Sequence, residues 1–530
     1  MILLAYSTGL AKENASRPNI LVVMADDLGY SDLGCYGSEI ETPNLDALAA
    51  GGMRFSNFYN TAKCHSSRIS LLTGRYAFQA GDVKLTQAVT AAEVLKKAGY
   101  FTAMTGKWHL AKEPTDFGFD RYFGHLSGAC NYYLGDKTFR LNGEKWQVPD
   151  KGFYTTVANV DRAIEFLGEA RQQDAKQQAD RPWYLYIAFN APHAPLQPMK
   201  KDYRKYLGRY DKGWDVTRAL RVKKQAELNL FGKTVDPCPR PDHIPAWDSL
   251  SESRRKFESK RMAAYAGLID RVDQELGRLF ADLKQAGEFD NTLILFVSDN
   301  GACPYDRRSN DVMGDPFDPN TTWSDSTGWA WARNSPFKFY KQNQFEGGCA
   351  TPAIVHWPKG LKTPKGSLNH EPAHLVDVLP TLVEVGGGRL PESWPDRDLT
   401  PVAGMSLAPV LAGGSLGARP PIFLQFGNDR GLRDGDWKLV SFRGYAWELY
   451  NLATDRTELR NLAQSEPSIL KRLAATWDDM AKNVALLPGR MSAPVRDQAA
   501  VIADPQWTNF AEDPGTPGKR NKQKAKEAKR

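Results

Sequence analysis

Three stretches of the 530-residue chain are apolar at every position: Ile20–Ala25, Tyr184–Phe189 and Leu293–Val297. A strand wetted on one side alternates apolar and polar residues, whereas a strand covered on both faces does not. These runs therefore predict the buried strands of a parallel sheet with helices on either side. A shorter run, Tyr100–Met104, predicts a fourth strand. Each run breaks into polar residues: Asp26-Asp27 after the first, "NAPHAP" with His193 after the second, Ser298-Asp299-Asn300 after the third, and "TGKWHL" with Lys107 and His109 after the fourth. In open α/β sheets, ligands bind beyond the carboxyl ends of the strands. Four separate segments are thus expected to deliver polar groups to one rim.

Helical periodicity fills the intervals. "TAAEVLKKAG" opens with a Thr90/Glu93 capping box, carries Ala91, Val94, Leu95 and Ala98 at helical spacing, and stops at Gly99. A longer helix is predicted over Met262–Gly287, with Ile269, Val272, Leu276, Phe280 and Leu283 on one face. Strand and helix alternation predicts an α/β domain over residues 17–385, built on a large, doubly wound, mostly parallel sheet. Beyond it the pattern changes. Residues 386–421 are rich in Gly, Pro and Ser, and short strand-like runs follow, "PIFLQF", "WKLVSF" and "WELYNL", with Asp434-Gly435 as a turn signal. With a final amphipathic helix over Ile469–Val484, residues 386–505 predict a smaller α+β domain with a short antiparallel sheet.

Composition is that of an ordinary globular protein, 42% hydrophobic and 25% charged, and so long a chain has room for a large core. The net charge of +7 is concentrated in the last dozen residues, which hold seven of the lysines and arginines against Glu527. Residues 506–530 read as a disordered, solvated tail and not as a polyanion-binding arm, so no nucleic-acid partner is expected. Six cysteines do not make a disulfide framework in a chain this long. The apolar start of residues 1–16 reads as the remnant of a signal peptide lacking its basic end, which implies a periplasmic or secreted protein. No other apolar run approaches the roughly 20 residues that a membrane span needs.

Asp26, Asp27, Asp299 and Asn300 present an oxygen set suited to a hard divalent cation, Ca²⁺ or Mg²⁺, and poorly suited to zinc. Any one of these residues alone would read as a cap or turn residue. Cys64, in "KCHSSRISLLTGR", is the oddity: a soft thiol is a poor ligand for a hard cation, and no neighbouring thiol makes it half of a redox pair. Either it is not a ligand, or it does not stay a cysteine.

At this point the chain resembles the sulfatases, and among them the bacterial arylsulfatase branch, within the alkaline phosphatase superfamily. The resemblance runs through "PNILVVMADDLGYSDLGCYG", "CHSSRISLLTGR", "TGKWHL", "APHAPLQ", "FVSDNG", "EGGCATPAIVHWPKG", "RDGDWKLV" and "ELYNLATDRTELRNL". It implies that a formylglycine-generating enzyme oxidises Cys64 to formylglycine (3-oxoalanine), whose hydrated aldehyde supplies oxygens. Asp26, Asp27, Asp299, Asn300 and modified Cys64 are implied as calcium ligands, with Mg²⁺ the alternative. Arg68 is implied to hold the diol, His109 to take a proton as a sulfo-enzyme collapses, and Lys107, His193 and Lys341 to clamp the sulfate. The resemblance implies Lys341 and not Lys338, because a lysine five residues before Glu346 of "EGG" is the spacing that family shows. Ser66 stands where most members carry proline. His65 has no implied role.

The expected activity is hydrolysis of aryl or carbohydrate sulfate esters. A phosphate or phosphonate monoester hydrolase on the same fold, or a non-catalytic polyanion-binding pseudo-sulfatase, are the competing readings. Ser127, Asn131, Tyr132 and Tyr133 are weak candidates for substrate contact. Selectivity is expected from the segments Arg140–Thr155 and Lys200–Trp247.

Overall fold

A computed structural model of the chain describes residues 17–177, 180–306, 314–488 and 510. The expected signal remnant, and the basic tail apart from residue 510, lie outside the described residues. Eleven strands form the main sheet: β1 Asn19–Ala25, β2 Met53–Tyr59, β3 Phe101–Gly106, β4 Arg121–His125, β5 Phe139–Leu141, β6 Glu144–Lys145, β7 Trp183–Ala188, β8 Thr292–Ser298, β9 Ala350–His356, β10 Ser367–Asn369 and β11 Ala373–His374. Their order is β10-β2-β9-β8-β1-β7-β3-β4-β5-β6, with β11 also on β2. The centre, β8-β1-β7-β3, is parallel throughout. Strand β9 runs antiparallel between β8 and β2, and β5 and β6 add an antiparallel edge.

The unbroken apolar runs have a direct cause. Along β1, Leu21, Val23 and Ala25 enter one buried cluster, while Ile20, Val22 and Met24 enter another on the opposite face. The helices Thr155–Gln177 and Glu252–Gln285 cover the first face, and Ala91–Lys97 and Val378–Val385 the second. The Thr90 capping box forms as expected, with Thr90 N donating to Glu93 Oε2 at 2.8 Å and Glu93 N to Thr90 Oγ1 at 3.2 Å. The long helix begins ten residues before the apolar pattern does. Ser251 Oγ caps it by accepting from Arg254 N, and its first turns bury Arg254 and Arg261 on Glu258 and Asp306. Charges spent on buried partners carry no hydrophobic period, so that stretch is invisible to a periodicity reading.

A second sheet, β12 Ile422–Phe426, β13 Asp429–Asp434, β14 Trp437–Ser441 and β15 Glu448–Asn451, is a four-strand antiparallel meander. The helix Pro467–Asn483 packs Leu473, Trp477 and Met480 against Phe423, Leu432, Leu439 and Leu449. The Gly/Pro/Ser-rich stretch before this sheet is tied back to the main body. Arg75, which closes "LTGR", donates from Nε to Thr400 O at 2.8 Å, and Gln79 Nε2 donates to Pro401 O at 2.8 Å. Among the described residues, no helix is long and apolar enough to cross a membrane.

Candidate active site

Register brings the strand ends together. Ala25 on β1 pairs with Ser298 on β8, so Asp26-Asp27 and Asp299-Asn300 leave the sheet side by side. Met24 pairs with Ala188 on β7, and Gly106 on β3 with the same Ala188, which brings His193, Lys107 and His109 to that rim. Strand β2 supplies the fifth component. After Tyr59 the chain turns and Cys64 becomes the first residue of the helix Cys64–Thr73. Groups at this end of a helix lie beside unpaired N–H donors and the positive end of its dipole.

The charged groups interlock. Arg68 donates from one terminal nitrogen to Lys107 O at 2.9 Å, and its other terminal nitrogen lies 3.1 Å from Asp299 Oδ2 and 3.7 Å from Asp26 Oδ2. Lys107 Nζ bonds Asp26, and Lys341 Nζ bonds Asp27. His193 donates from Nδ1 to Ala194 O at 2.5 Å, leaving Nε2 at 3.5 Å from Asp27 Oδ2. All but His109 and His193 are essentially closed to solvent. Burial would raise Asp26 and Asp27, but Lys107 for the first and Lys341 for the second, with the neighbouring cations, hold Asp26 well below the carboxylate range and Asp27 at about 2. Asp299 is pushed up to about 7 by burial and by Asp26. Burial and then Lys107 and Arg68 keep His109 neutral, well below its ordinary value.

Four residues at or next to the rim carry backbone strain. Asp27 (φ 67°), Ala62 (φ 57°), His109 (φ 59°) and Gln342 (φ 76°) occupy the left-handed region that side-chain-bearing residues avoid. Surrounding bonds impose it. Asp27 N donates to Asp299 Oδ1 at 3.2 Å, and Asp27 O accepts from Tyr265 and Arg333, each at 3.1 Å. Ala62 N donates to Asn60 Oδ1, and Gln342 N to Ala62 O, both at 2.8 Å.

The donor set fits a hard cation. Asp26 Oδ1, Asp27 Oδ2 and Asn300 Oδ1 are buried acceptors with no hydrogen-bond partner, a costly state for three oxygens at one rim. One carboxylate oxygen from each of Asp26 and Asp299 and the sulfur of Cys64 lie within 4.8 Å of one another. Asn300 Nδ2 donates to Asp27 Oδ1 at 2.6 Å and to Gly301 O at 2.9 Å, which fixes the amide with its oxygen left over.

All ten residues singled out from the sequence meet at this rim, with Cys64, Arg68, Lys107, His109, His193 and Lys341 around Asp26, Asp27, Asp299 and Asn300. The four weaker candidates do not present free groups. Ser127 Oγ bonds His125, Ala129 and Asp136; Asn131 Nδ2 donates to Pro319 O and its Oδ1 accepts from Tyr133 N and Leu134 N; the Tyr132 and Tyr133 hydroxyls donate to His193 O and Pro198 O. The two tyrosine hydroxyls tie down the loop that carries His193. Three residues were missed. Gly128 packs on the His109 ring so closely that a Cβ there would sit 2.7 Å from Nε2. His65 lies with its ring centroid 5.9 Å from that of His109. Phe426, from the second sheet, lies 5.9 Å from His65. Contacts between a loop glycine, a helix start and the end of a strand in the second sheet leave no signal in any one stretch of sequence. Ser66 is the third residue of its helix, where the N–H has no intrahelical partner, so serine and proline both fit; its Oγ bonds Thr61 Oγ1 at 2.7 Å.

A mixed sheet with a carboxylate–lysine–arginine cluster at its parallel rim has the groups to hold a hard cation and a tetrahedral oxyanion. The Sulfatase family model matches residues 18–388, and the chain belongs to that family as a sulfuric ester hydrolase. An uncharacterised sulfatase of Schizosaccharomyces pombe is 30% identical over 519 residues, covering 87% of this chain and 93% of that one. The arylsulfatase of Klebsiella aerogenes is 31% identical over 440 residues, covering 74% and 92%. Among solved structures, Ps i-CgsB in complex with a neocarrahexaose shares the fold with a TM-score of 0.65 at 24% identity, covering 92% of this chain and 96% of that one. The phosphonate monoester hydrolase of Agrobacterium radiobacter shares it with a TM-score of 0.56 at 20% identity, covering 88% and 96%.

Proposed function

We propose that the protein is a formylglycine-dependent sulfatase acting on an aryl or carbohydrate sulfate, with the aldehyde formed from Cys64. The observation that carries this reading is the position of Cys64 Sγ, within 4.8 Å of carboxylate oxygens of Asp26 and Asp299, in a site otherwise made of oxygen donors. A thiol is mismatched there, and a hydrated aldehyde is not. Asp26, Asp27, Asp299 and Asn300, with an oxygen of the converted residue, would hold Ca²⁺ or, alternatively, Mg²⁺; such an ion supplies charge stabilisation for the transferring sulfuryl group.

The chain's own groups divide the remaining work. Arg68, fixed by Asp299 and by Lys107 O, holds residue 64 in place. Lys107, His193 and Lys341 draw on their positions beside Asp26 and Asp27 to bind the outer sulfate oxygens, where negative charge spreads in transfer. His109, kept neutral by burial and neighbouring cations, accepts a proton at its imidazole, which lies next to the His65 ring. Burial excludes water and strengthens each of these interactions. A formylglycine-generating enzyme is the implied maturation partner, and a periplasmic or secreted location is the expected setting.

Co-expression with a formylglycine-generating enzyme tests the reading. Mass analysis of the peptide spanning residue 64 should show loss of sulfur, and conversion should track sulfate release from a panel of sulfate esters, with matched phosphate esters as controls. An active preparation with an intact Cys64 thiol rules the mechanism out. Exhaustive chelation should abolish turnover and re-addition of Ca²⁺ or Mg²⁺ restore it; full activity in a sample verified as metal-free would remove the ion from the site.

A further inference from the structure

Asp27 is gripped through its backbone by the end of one short helix. Thr327–Arg333 starts at a Ser326 cap and closes on Arg333, whose carbonyl accepts from Ser31 N at 3.0 Å and from Ser31 Oγ at 2.7 Å. The next residue, Asn334, accepts through Oδ1 from Tyr30 N at 3.4 Å and from Ala302 N at 3.1 Å, and donates from Nδ2 to Phe339 O at 3.0 Å. One helix end thus ties the turn after β1 to the segment after Asn300 and to the loop that carries Lys341. The Arg333 side chain is fully buried. One terminal nitrogen donates to Asp325 Oδ1 at 2.6 Å, the other donates to Asp27 O at 3.1 Å, and Nε lies 3.5 Å from Asp32 Oδ2. Its guanidinium lies 3.6 Å from the centre of the Tyr265 ring, and the Tyr265 hydroxyl bonds Asp32 Oδ2 at 2.7 Å and Asp27 O at 3.1 Å. Two buried donors therefore converge on the carbonyl of a residue held in the left-handed region (φ 67°). On the side chain of that residue, Oδ1 accepts from Asn300 Nδ2 at 2.6 Å and from Lys341, and Oδ2 is left without a hydrogen-bond partner.

Resting on the reading of this rim as a hard-cation site, we infer that Arg333 is a positioning residue for the cation: together with Tyr265 it fixes the Asp27 peptide in its strained conformation and so aims the Asp27 carboxylate at the other ligands. A backbone relaxed to right-handed or extended angles would swing Cβ, and the carboxylate with it, away from Asn300. Groups that orient a metal ligand without touching the metal typically govern roughly ten- to hundredfold in affinity. The competing role for Arg333 is charge balance alone. A carboxylate oxygen of Asp325 lies within 4.8 Å of one on Asp27, so loss of the arginine by itself leaves an uncompensated negative charge beside the site. That charge would strengthen cation binding, an effect opposite in sign to loss of position. Replacing Arg333 and Asp325 together separates the two roles. Asp32 keeps its Arg221 partner at 2.6 Å, so the paired change strands no carboxylate.

The test is calorimetric titration of Ca²⁺ alone, and of Mg²⁺ alone, into converted full-length enzyme stripped of metal by chelation and dialysis. Wild type, Tyr265→Phe and the double variant Arg333→Met/Asp325→Asn are compared, and thermal unfolding checks that each is folded. Tyr265→Phe changes no charge, so the question survives a double variant that fails to fold. Cation binding should weaken by about threefold in Tyr265→Phe and by about tenfold or more in the double variant. The cation concentration that gives half-maximal turnover of a sulfate ester should rise by the same factors, which a merely structural role would not produce. An affinity equal to wild type in either variant, once shown to be folded, overturns the inference and leaves the cation site intact. Wild-type protein that binds neither Ca²⁺ nor Mg²⁺ overturns the reading of the site as well.

Discussion

Lys338 and Lys341 are three positions apart in one loop, and their surroundings assign them different work. Lys341 Nζ is buried on Asp27 at the rim. Lys338 Nζ lies 4.3 Å from the Phe345 ring centre, 3.4 Å from the Tyr450 hydroxyl and 3.6 Å from Glu448, and its side chain is 24% exposed. Removing a preorganised cation from the reacting oxyanion typically costs two to three orders of magnitude. Lys341→Ala should therefore lower kcat/KM for a sulfate ester roughly hundredfold or more, while Lys338→Ala changes it by less than about threefold. Steady-state kinetics on folded variants decides, and equal losses would remove Lys341 from the clamp. The metal-site candidates were legible because chemistry constrains them, as three carboxylates and an amide after two buried strands, whereas Lys341 was legible only through the family's spacing to "EGG". Ser127, Asn131, Tyr132 and Tyr133 were not, because a polar loop residue looks the same in sequence whether its group is free or bound to a carbonyl two loops away. Phe426 escaped for the converse reason: the ring it meets, His65, belongs to a helix that follows a strand of the other sheet.

At the level of elements, the four central strands were legible from their unbroken apolar runs because both faces are covered, and their order along the rim follows from parallel register. The antiparallel insertion of β9 was not legible, since Ala350–His356 is as apolar as a parallel strand would be. The end of β3 shows how an element sets the site. Gly106 adopts φ 99°, and a Cβ there would lie 2.0 Å from Ala188 O on β7. The next residue, Lys107, donates its N–H to that same carbonyl at 2.8 Å. Gly106→Ala must push β3 off β7 where Lys107 and His109 leave the sheet. A loss of roughly 2–4 kcal/mol is expected in chemical denaturation, together with reduced kcat, because overpacking against rigid backbone cannot relax without moving the strand. Wild-type stability in this variant would mean that the strand end yields freely and does not fix Lys107.

Across the whole molecule, the closing motifs of the chain act as a lock between the two sheets. Lys438 on β14 lies 2.6 Å from Glu346 Oε1 and 2.8 Å from Glu458 Oε1, all three side chains fully buried. Arg456 bonds the other Glu346 oxygen, which also accepts from the Tyr59 hydroxyl at 3.1 Å, and Glu346 N donates to Glu458 Oε2 at 2.8 Å. Glu346 opens "EGG", Lys438 lies in "DWKLV", and Arg456 and Glu458 lie in "TDRTEL". A hydropathy reading treats all four as surface charges, so the junction was not foreseen although its residues were in view. Two acids and two bases balance inside a dry interface, and removing one partner leaves uncompensated buried charge. Lys438→Met should cost about 3–5 kcal/mol of unfolding free energy, whereas a solvated pair would cost under about 1 kcal/mol. The same change should reach the catalytic rim. Gly347 N donates to Lys338 O at 2.9 Å and Lys341 N to Ala302 O at 3.1 Å, so Glu346 anchors the C-terminal side of the loop that presents Lys341. A folded Lys438→Met enzyme assayed well below its melting temperature is therefore expected to show a raised KM for sulfate esters as well as lower stability. Lower stability with unchanged kinetics would confine the lock to holding the sheets together.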